Sequence, residues 1–295
     1  MSSEQTPRQR ISSDFAESRI ALAGLALLAA ILLVALLAPL ISPQNPYDLA
    51  QLDVLDSRLP PGAQSQSEGG KTYWLGTDDQ GRDMLSGIFY GLRISIGVGV
   101  ASTLAALAIG LVLGLLAAYF GGWVDTLIMR IVDIQLSFPS ILIALILLAL
   151  LGQGLDKIIV ALVAVQWAYY ARTVRGAALV ERRKEYMEAA AGLALSHARI
   201  VFRHLLPNCL PPLIVVATVQ VAAAIALEAT LSFLGLGLPI TEPSLGLLIS
   251  NGFTYMLSGK YWISFFPGVA LLATIVSINL VADQLRDVLN PRLQK

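Results

Sequence analysis

Residues 171–208 read ARTVRGAALVERRKEYMEAAAGLALSHARIVFRHLLPN and lie between two long apolar runs. From Arg172 to Leu206 the stretch has no proline and is rich in alanine, leucine, arginine and glutamate, all good helix formers. Pro207 ends it before the next apolar run begins. We therefore predict a charged helical loop, divided near Gly192 or Ser196, that joins two apolar helices.

The composition of this 295-residue chain indicates a membrane protein. It is 56% hydrophobic and 14% charged, whereas soluble domains have roughly 25% charged residues. Its formal net charge is +0, so no basic or acidic surface points to nucleic acid as a partner. The single cysteine, Cys209, excludes an intramolecular disulfide and offers no cluster of metal ligands.

Six apolar runs are interpreted as transmembrane helices, because roughly 20 helical residues cross the hydrocarbon core of a bilayer. The runs comprise residues 20–41, 92–119, 134–151, 158–170, 213–234 and 262–281, of which the fourth is the shortest. The predicted fold is all-α, a polytopic membrane protein with six transmembrane helices. We divide the chain into a tail at 1–18, a first transmembrane helix at 19–43, a polar loop at 44–90, a core of five transmembrane helices at 91–285 that includes the loop 172–208, and a C-terminal segment at 286–295.

Basic residues predict the orientation of these helices. With six spans, both termini lie on the same side as the loop 172–208, and fourteen of the 20 lysines and arginines fall on that side. The six on the other side are Arg58, Lys71, Arg82, Arg93, Lys157 and Lys260. Because loops rich in lysine and arginine stay in the cytoplasm, both termini and the loop 172–208 are predicted to be cytoplasmic, and the loop 44–90 periplasmic.

The middle of the charged loop consists of small side chains flanked by basic ones. The small residues are Ala189, Ala190, Ala191, Gly192, Ala194, Ser196 and Ala198. Small residues let another protein approach a helix backbone closely. A helix resting on anionic lipid headgroups would explain the arginines but would normally present large apolar side chains to the acyl chains. Docking into a cleft of a partner protein is therefore favoured, with the interfacial helix as the alternative.

One part of this loop resembles a known family. Glu188-Ala189-Ala190, followed by Ile200 and by Leu206-Pro207-Asn208, is similar to the cytoplasmic EAA loop of bacterial ABC importer permeases. The resemblance implies the type I ABC importer permease fold, with coupling helices that sit in a groove of an ATPase subunit. The docking residues it implies are Glu185, Glu188, Ala189, Ala190, Gly192, Ala194, Arg199 and Pro207. The family has a glycine where this chain has Ala194, so its hinge is expected to be altered or displaced to Gly192.

Two further segments narrow the resemblance. Residues 75–83 with 90–95, and residues 231–237 with Pro243, Ser244 and Gly246, are similar to segments of dipeptide, oligopeptide and nickel importer permeases, although Leu245 replaces a family tryptophan. The resemblance implies a bacterial inner-membrane permease subunit for dipeptides or oligopeptides. Its implied partners are a second homologous permease, two ABC ATPase subunits that bind the ATP, and a periplasmic substrate-binding protein. No Gly-x-x-x-x-Gly-Lys-Ser/Thr loop occurs in the chain, so it is expected to hold no cofactor and no ATPase site of its own.

Two polar features outside the charged loop are candidate sites. Glu228 is the only ionisable residue in the apolar run 213–234, and such residues are costly in a membrane and therefore often functional. It either lines the translocation path or is paired within the helix bundle. The cluster of Asp78, Asp79, Arg82 and Asp83 is interpreted as a tight, ion-paired turn, with contact to a periplasmic partner as the alternative.

Two other functions stay open beside the peptide permease. A secondary transporter or channel for a small solute would need coupling-ion sites or broken helices at matching positions in two repeats, and the sequence offers only Glu228. An ABC permease for nickel or another non-peptide substrate would share every motif named above.

Overall fold

The computed structural model describes residues 13–67, 70–239 and 241–289 of a chain that is mostly helical. The helices are α1 (Arg19–Ile41), α2 (Met84–Phe120), α3 (Gly122–Leu136), α4 (Ser140–Leu151), α5 (Leu155–Glu181), α6 (Glu185–Gly192), α7 (His197–Arg199), α8 (Leu206–Phe233), α9 (Leu245–Phe253) and α10 (Trp262–Leu289). A π-helical turn, Ile200–Leu205, joins α7 to α8 without a break. Short 3₁₀ turns lie at Leu49–Gln51, Val54–Asp56 and Met256–Ser258, and the strands β1 (Ala63–Gln64) and β2 (Thr72–Tyr73) pair antiparallel with Ala63 opposite Tyr73.

Four of the described helices are long and apolar enough to cross a membrane: α1, α2, the continuous helix from His197 to Phe233, and α10. The pair α3 and α4 is bent by 89° and makes a fifth crossing if the two act as one broken span. By length and apolar composition, the described helices therefore support four of the six predicted crossings, or five with the bent pair.

The predicted third span, 134–151, is wrong as a single helix. α3 ends at Leu136 and α4 begins at Ser140, so the apolar run is divided by the segment 137–139. Pro139 explains the break, because it has no N–H for a helical hydrogen bond and disfavours the helical conformation at Phe138.

The predicted fourth span lies in α5, which packs into the bundle along one side. Its 27 residues are long enough, at about 40 Å, to cross a bilayer. Ile158, Leu162, Val165, Tyr170 and Val174 on this helix are all buried. Its other side is exposed at Val160 (54%) and Val180 (66%).

The centre of the bundle is the contact between α2 and α5, which pack against each other more extensively than any other described pair of helices. Gly110 and Gly114 of α2 make this approach possible. A Cβ atom at Gly110 would lie 2.4 Å from the Cβ of Tyr170, and one at Gly114 would lie 2.6 Å from the carbonyl oxygen of Ala171. Gly110 and Gly114 therefore form a small-x-x-x-small contact, which lets the backbones of α2 and α5 approach closely.

Residues 42–67 and 70–83 fold into a unit that we call the cap. Its centre is the buried carboxylate of Asp56, which accepts hydrogen bonds from the Ser65 hydroxyl (2.6 Å), the Gln66 backbone N–H (2.6 Å) and the Tyr73 hydroxyl (2.8 Å). Burial acts to raise the pKa of Asp56, but these hydrogen bonds more than offset it, so the pKa lies below its usual value. The polar loop is therefore an ordered structure with its own hydrogen-bonded core.

The cap is fixed to the bundle at α2 and α10. The indole N–H of Trp262 donates to the Thr77 carbonyl oxygen (3.1 Å), and the Gln44 backbone N–H donates to the Ser86 hydroxyl (3.1 Å). The predicted ion-paired turn is confirmed: Arg82 and Asp78 are buried with their charged atoms 3.9 Å apart. Burial raises the pKa of Asp78 to about 6.

The helix bundle thus has two opposite ends, which correspond to the two ends of α2. The cap end is the end at which α2 begins, next to the cap. The loop end is where α2 finishes at Phe120 and its Tyr119 meets His197.

Candidate docking loop and its connections to the bundle

The charged stretch folds mainly as predicted, with different boundaries. Residues 172–181 continue α5 and residues 206–208 begin α8, so the part that projects from the bundle is 182–205, which we call the docking loop. The loop consists of α6, a turn at 193–196, α7 and the π-helical turn. The predicted division into two helical pieces is confirmed.

The turn between α6 and α7 is made at Ala194, which has a left-handed backbone with φ of 52°. The backbone N–H of Leu195 donates to the Ala190 carbonyl oxygen (3.4 Å), as in a helix C-cap that usually has glycine at the left-handed position. Gly192 belongs to the last turn of α6 instead. The expectation that the hinge moves to Gly192 is therefore wrong, because alanine adopts the conformation that the family glycine would favour.

One face of the docking loop packs onto the bundle. Met187, Ala190, Ile200 and Leu205 are buried together with residues of α2, α5 and α8. Ala190 therefore belongs to the core beneath the loop. This changes its predicted role, since a buried side chain offers little surface to a partner.

The other face of the loop is exposed and carries most of the predicted docking residues. These are Glu185, Glu188, Ala189, Gly192, Ala194 and Arg199, with Pro207 exposed just beyond. Leu193 and Phe202 join them with 74% and 67% of their surfaces exposed. Sequence reasoning missed both, although they are large apolar residues in a segment that was placed outside the membrane. Such exposed apolar side chains are typical of a protein contact surface.

Tyr186 connects the docking loop to both helices that enter and leave it. Its hydroxyl donates to the Glu181 carboxylate at the end of α5, and it accepts a hydrogen bond from the Asn208 side-chain amide of α8 (3.0 Å). Lys184 also pairs with Glu181 (2.7 Å). Burial and the hydrogen bond to Glu181 raise the pKa of Tyr186 to about 12, so its proton stays in place at neutral pH.

Further contacts fix the loop to α2. The Tyr119 hydroxyl is hydrogen-bonded to Nδ1 of His197. The Arg182 guanidinium donates to the Ala118 carbonyl oxygen and lies 5.5 Å from the centre of the Tyr119 ring. The docking loop is therefore joined by polar contacts to α2, α5 and α8, the three helices with the most extensive contacts in the bundle core.

Glu228 of α8 is fully buried, with 0% of its surface exposed. The Ser95 hydroxyl of α2 donates to one carboxylate oxygen (2.9 Å), and the Ser232 hydroxyl donates to the other (2.8 Å). This placement agrees with a group paired within the bundle, and contact with a translocated solute stays a prediction.

Within residues 13–67, 70–239 and 241–289, no three His, Cys, Asp or Glu side chains are grouped as metal ligands would be.

The two sequence segments that narrowed the resemblance meet at this buried carboxylate. Ser95 comes from the segment 90–95, and Ser232 comes from the segment 231–237. Close backbone contacts surround it, since a Cβ atom at Gly246 would lie 2.4 Å from the Ala229 carbonyl oxygen and one at Gly237 would lie 2.0 Å from the Ser232 hydroxyl. These sequence segments therefore correspond to the place where α2, α8 and α9 pack together.

Comparison with known families agrees with these features. Residues 110–295 match the family described as binding-protein-dependent transport system inner membrane component, and residues 6–61 match the N-terminal transmembrane domain of oligopeptide transport permease C. The chain belongs to the ABC importer permeases. As a permease of this family it is a multi-pass membrane subunit of a transport system.

Several curated relatives match this permease over nearly its whole length. The dipeptide transport system permease protein DppC of Haemophilus influenzae is 37% identical over 99% of this chain and 97% of its own. DppC of Alkalihalophilus pseudofirmus is 35% identical over 98% of this chain and 91% of its own. The oligopeptide transport system permease protein OppC of Bacillus subtilis is 37% identical over 95% of this chain and 88% of its own.

A solved structure with the same fold is the inward-facing MetNI methionine ABC transporter. One of its chains superposes with a TM-score of 0.57 at 23% identity, covering 70% of this permease and 98% of that chain. At this identity the likeness shows the fold alone, which is the predicted ABC importer permease fold.

Proposed function

We propose that this permease pairs with a second homologous permease to form the membrane path for dipeptides or oligopeptides that a periplasmic binding protein delivers. The names of the relatives at 35–37% identity support a peptide substrate. Nickel or another non-peptide solute is the alternative within the same family. The family relationship favours both over a self-sufficient secondary transporter or channel.

Two ABC ATPase subunits are proposed to bind the ATP and to contact the docking loop. The observation that carries this proposal is the exposed face of the loop, where Leu193 and Phe202 lie among Glu185, Glu188 and Arg199. Exposed leucine and phenylalanine beyond the membrane gain free energy when a partner covers them. With the loop on the ATPase side, the basic residues support an orientation in the inner membrane with both termini in the cytoplasm.

The same contacts suggest how ATPase movement reaches the membrane helices. A displacement of α6 acts on Glu181 and Asn208 through the Tyr186 hydroxyl, and a displacement of α7 acts on Tyr119 through His197. No loop interrupts the helix from His197 to Phe233, so a displacement of α7 is passed directly to α8. The docking loop thus moves α2, α5 and α8 together.

Docking is tested by pull-down of the ATPase subunits with the purified permease. Leu193→Asp and Phe202→Asp should each weaken association tenfold or more, because burying each side chain contributes about 1.5–3 kcal/mol. Glu188→Lys should also weaken it. Leu257→Asp is the matched control, since Leu257 is fully exposed in the turn that precedes α10 at the cap end. Unchanged association of all three loop variants would contradict the docking role.

The transport role is tested by uptake of a dipeptide into liposomes. The full complex with its second permease, ATPases and binding protein should take up the peptide only with ATP. The isolated permease should neither hydrolyse ATP nor move peptide. Uptake by the isolated chain would overturn the proposal, and ATP-driven uptake of nickel but not of peptides would favour the alternative substrate.

A further inference from the structure

A cavity of about 810 Å³ lies at the loop end of the bundle, between α5, α8 and α10. Its volume falls in the range of about 300–1,000 Å³ that is typical of small-molecule sites. The α8 side of the cavity, which we call its floor, consists of Asn208, Pro211, Pro212, Val215, Val216, Val219 and Gln220. The floor carries no charge.

Charged side chains line the two other walls. On α5 and the turn after it, Glu181 and Lys184 are paired with each other (2.7 Å). On α10, Asp283 and Arg286 both line the cavity and are exposed. They lie about one helical turn apart. Neither of these two forms a salt bridge with any residue that the structure describes. The α10 wall therefore offers one negative and one positive charge to an incoming group.

Two prolines alter the backbone hydrogen bonding of α8 beside the cavity. Pro211 and Pro212 have no N–H, so the carbonyl oxygens of Pro207 and Asn208 lack the helical hydrogen bond that they would normally accept. Asn208 itself lines the cavity. A ligand with an apolar part and both charges fits such a surface.

We infer that this cavity binds the peptide on its way to the cytoplasm, with Arg286 contacting the peptide carboxylate and Asp283 contacting its amino group. A free dipeptide is a zwitterion, so it carries the two charges that the α10 wall complements. The uncharged proline and valine floor accepts peptide side chains of different shapes. This inference rests on the proposed peptide transport and names residues of the path that the sequence did not indicate.

Cysteine labelling tests whether the cavity is open to water in the assembled transporter. Cys209 is replaced by alanine, and Val219→Cys is introduced in the full reconstituted complex. A charged, membrane-impermeant maleimide added from the loop side should modify Val219→Cys, and saturating dialanine should slow the modification at least threefold. Val276→Cys, on α10 but outside the cavity lining, is the control and should stay unmodified. If Val219→Cys stays unmodified in every nucleotide state, a helix of the second permease fills the cavity and the inference is wrong.

Transport measurements test the charged wall. Asp283→Asn and Arg286→Gln should each lower the amount of dipeptide moved per ATP hydrolysed at least threefold, while ATPase pull-down is unchanged. Asp287→Asn, on the same helix but not lining the cavity, should transport normally. Normal transport by Asp283→Asn and Arg286→Gln would overturn the inference. A wild-type complex that takes up no dipeptide would instead refute the proposed substrate, so the two failures are distinguishable.

Discussion

At the scale of single residues, Ala194 has a left-handed backbone conformation that suits glycine better than alanine. A left-handed backbone costs an alanine about 1–2 kcal/mol, and glycine avoids this cost at the expense of a more flexible unfolded chain. We therefore expect Ala194→Gly to stabilise the α6–α7 turn by a net 0.5–1 kcal/mol, roughly. Hydrogen exchange of the Leu195 amide, which donates to Ala190, should slow roughly two- to fivefold.

The same substitution at Ala198 is the control for this prediction. Ala198 is exposed in α7 and has an ordinary helical backbone, so Ala198→Gly should destabilise its helix by about 0.5–1 kcal/mol. Faster exchange in Ala194→Gly, in the same direction as Ala198→Gly, would show that the turn is not left-handed in solution.

At the scale of helices, the contact between α2 and α5 depends on two glycines. Gly114→Ala would place a Cβ atom 2.6 Å from the Ala171 carbonyl oxygen and 2.7 Å from the Val174 Cβ, so the helices must separate. Such overpacking costs about 1–3 kcal/mol, which should lower the thermal unfolding temperature of the purified complex by several degrees, roughly 2–4 °C per kcal/mol.

Gly97→Ala provides the comparison within α2. No atom lies within 4 Å of a Cβ at Gly97, and alanine is the better helix former, so its unfolding temperature should equal or exceed that of the wild type. Equal destabilisation by both substitutions would mean that α2 and α5 are not in close contact at Gly114.

The helices also show what the sequence could and could not predict. Long apolar runs were sufficient to place α1, α2, α8 and α10, because hydrocarbon thickness sets their length. Charges misled the assignment of α5, whose predicted apolar run ended at Tyr170, before Arg172. That arginine and Arg175 are instead held within the helix by Asp133 and Asp125 of α3. Only the packing of α3 beside α5 reveals these pairs, and the fold of α3 depends in turn on the bend at Pro139.

The docking site was predicted only in part, for a similar physical reason. The sequence located the helical loop between α5 and α8, whereas its docking role and its cytoplasmic orientation stay predictions. Helical sequence alone did not distinguish the inner face, with Ala190 and Met187, from the outer face, with Leu193 and Phe202. The direction of each face is set by the way the loop packs against α2, α5 and α8.

At the scale of the whole molecule, Tyr186 is one of the polar contacts that join the docking loop to the bundle. Tyr186→Phe keeps the ring but removes the hydroxyl that donates to Glu181 and accepts from Asn208. Each lost hydrogen bond to a charged or amide group is worth about 1–2 kcal/mol. We expect ATPase association to be unchanged, because the exposed face of the loop is intact, while dipeptide uptake per ATP hydrolysed falls about fivefold.

Tyr169→Phe separates this effect from the general loss of a hydroxyl group. Tyr169 is half-exposed on α5, and its hydroxyl has no hydrogen-bond partner among the described residues, so uptake should be normal. Weaker ATPase association in Tyr186→Phe would mean that the hydroxyl supports the docking surface itself. Normal uptake per ATP in that variant would show that the loop moves α5 and α8 through its apolar contacts alone, with Met187, Ile200 and Leu205 as the remaining connection.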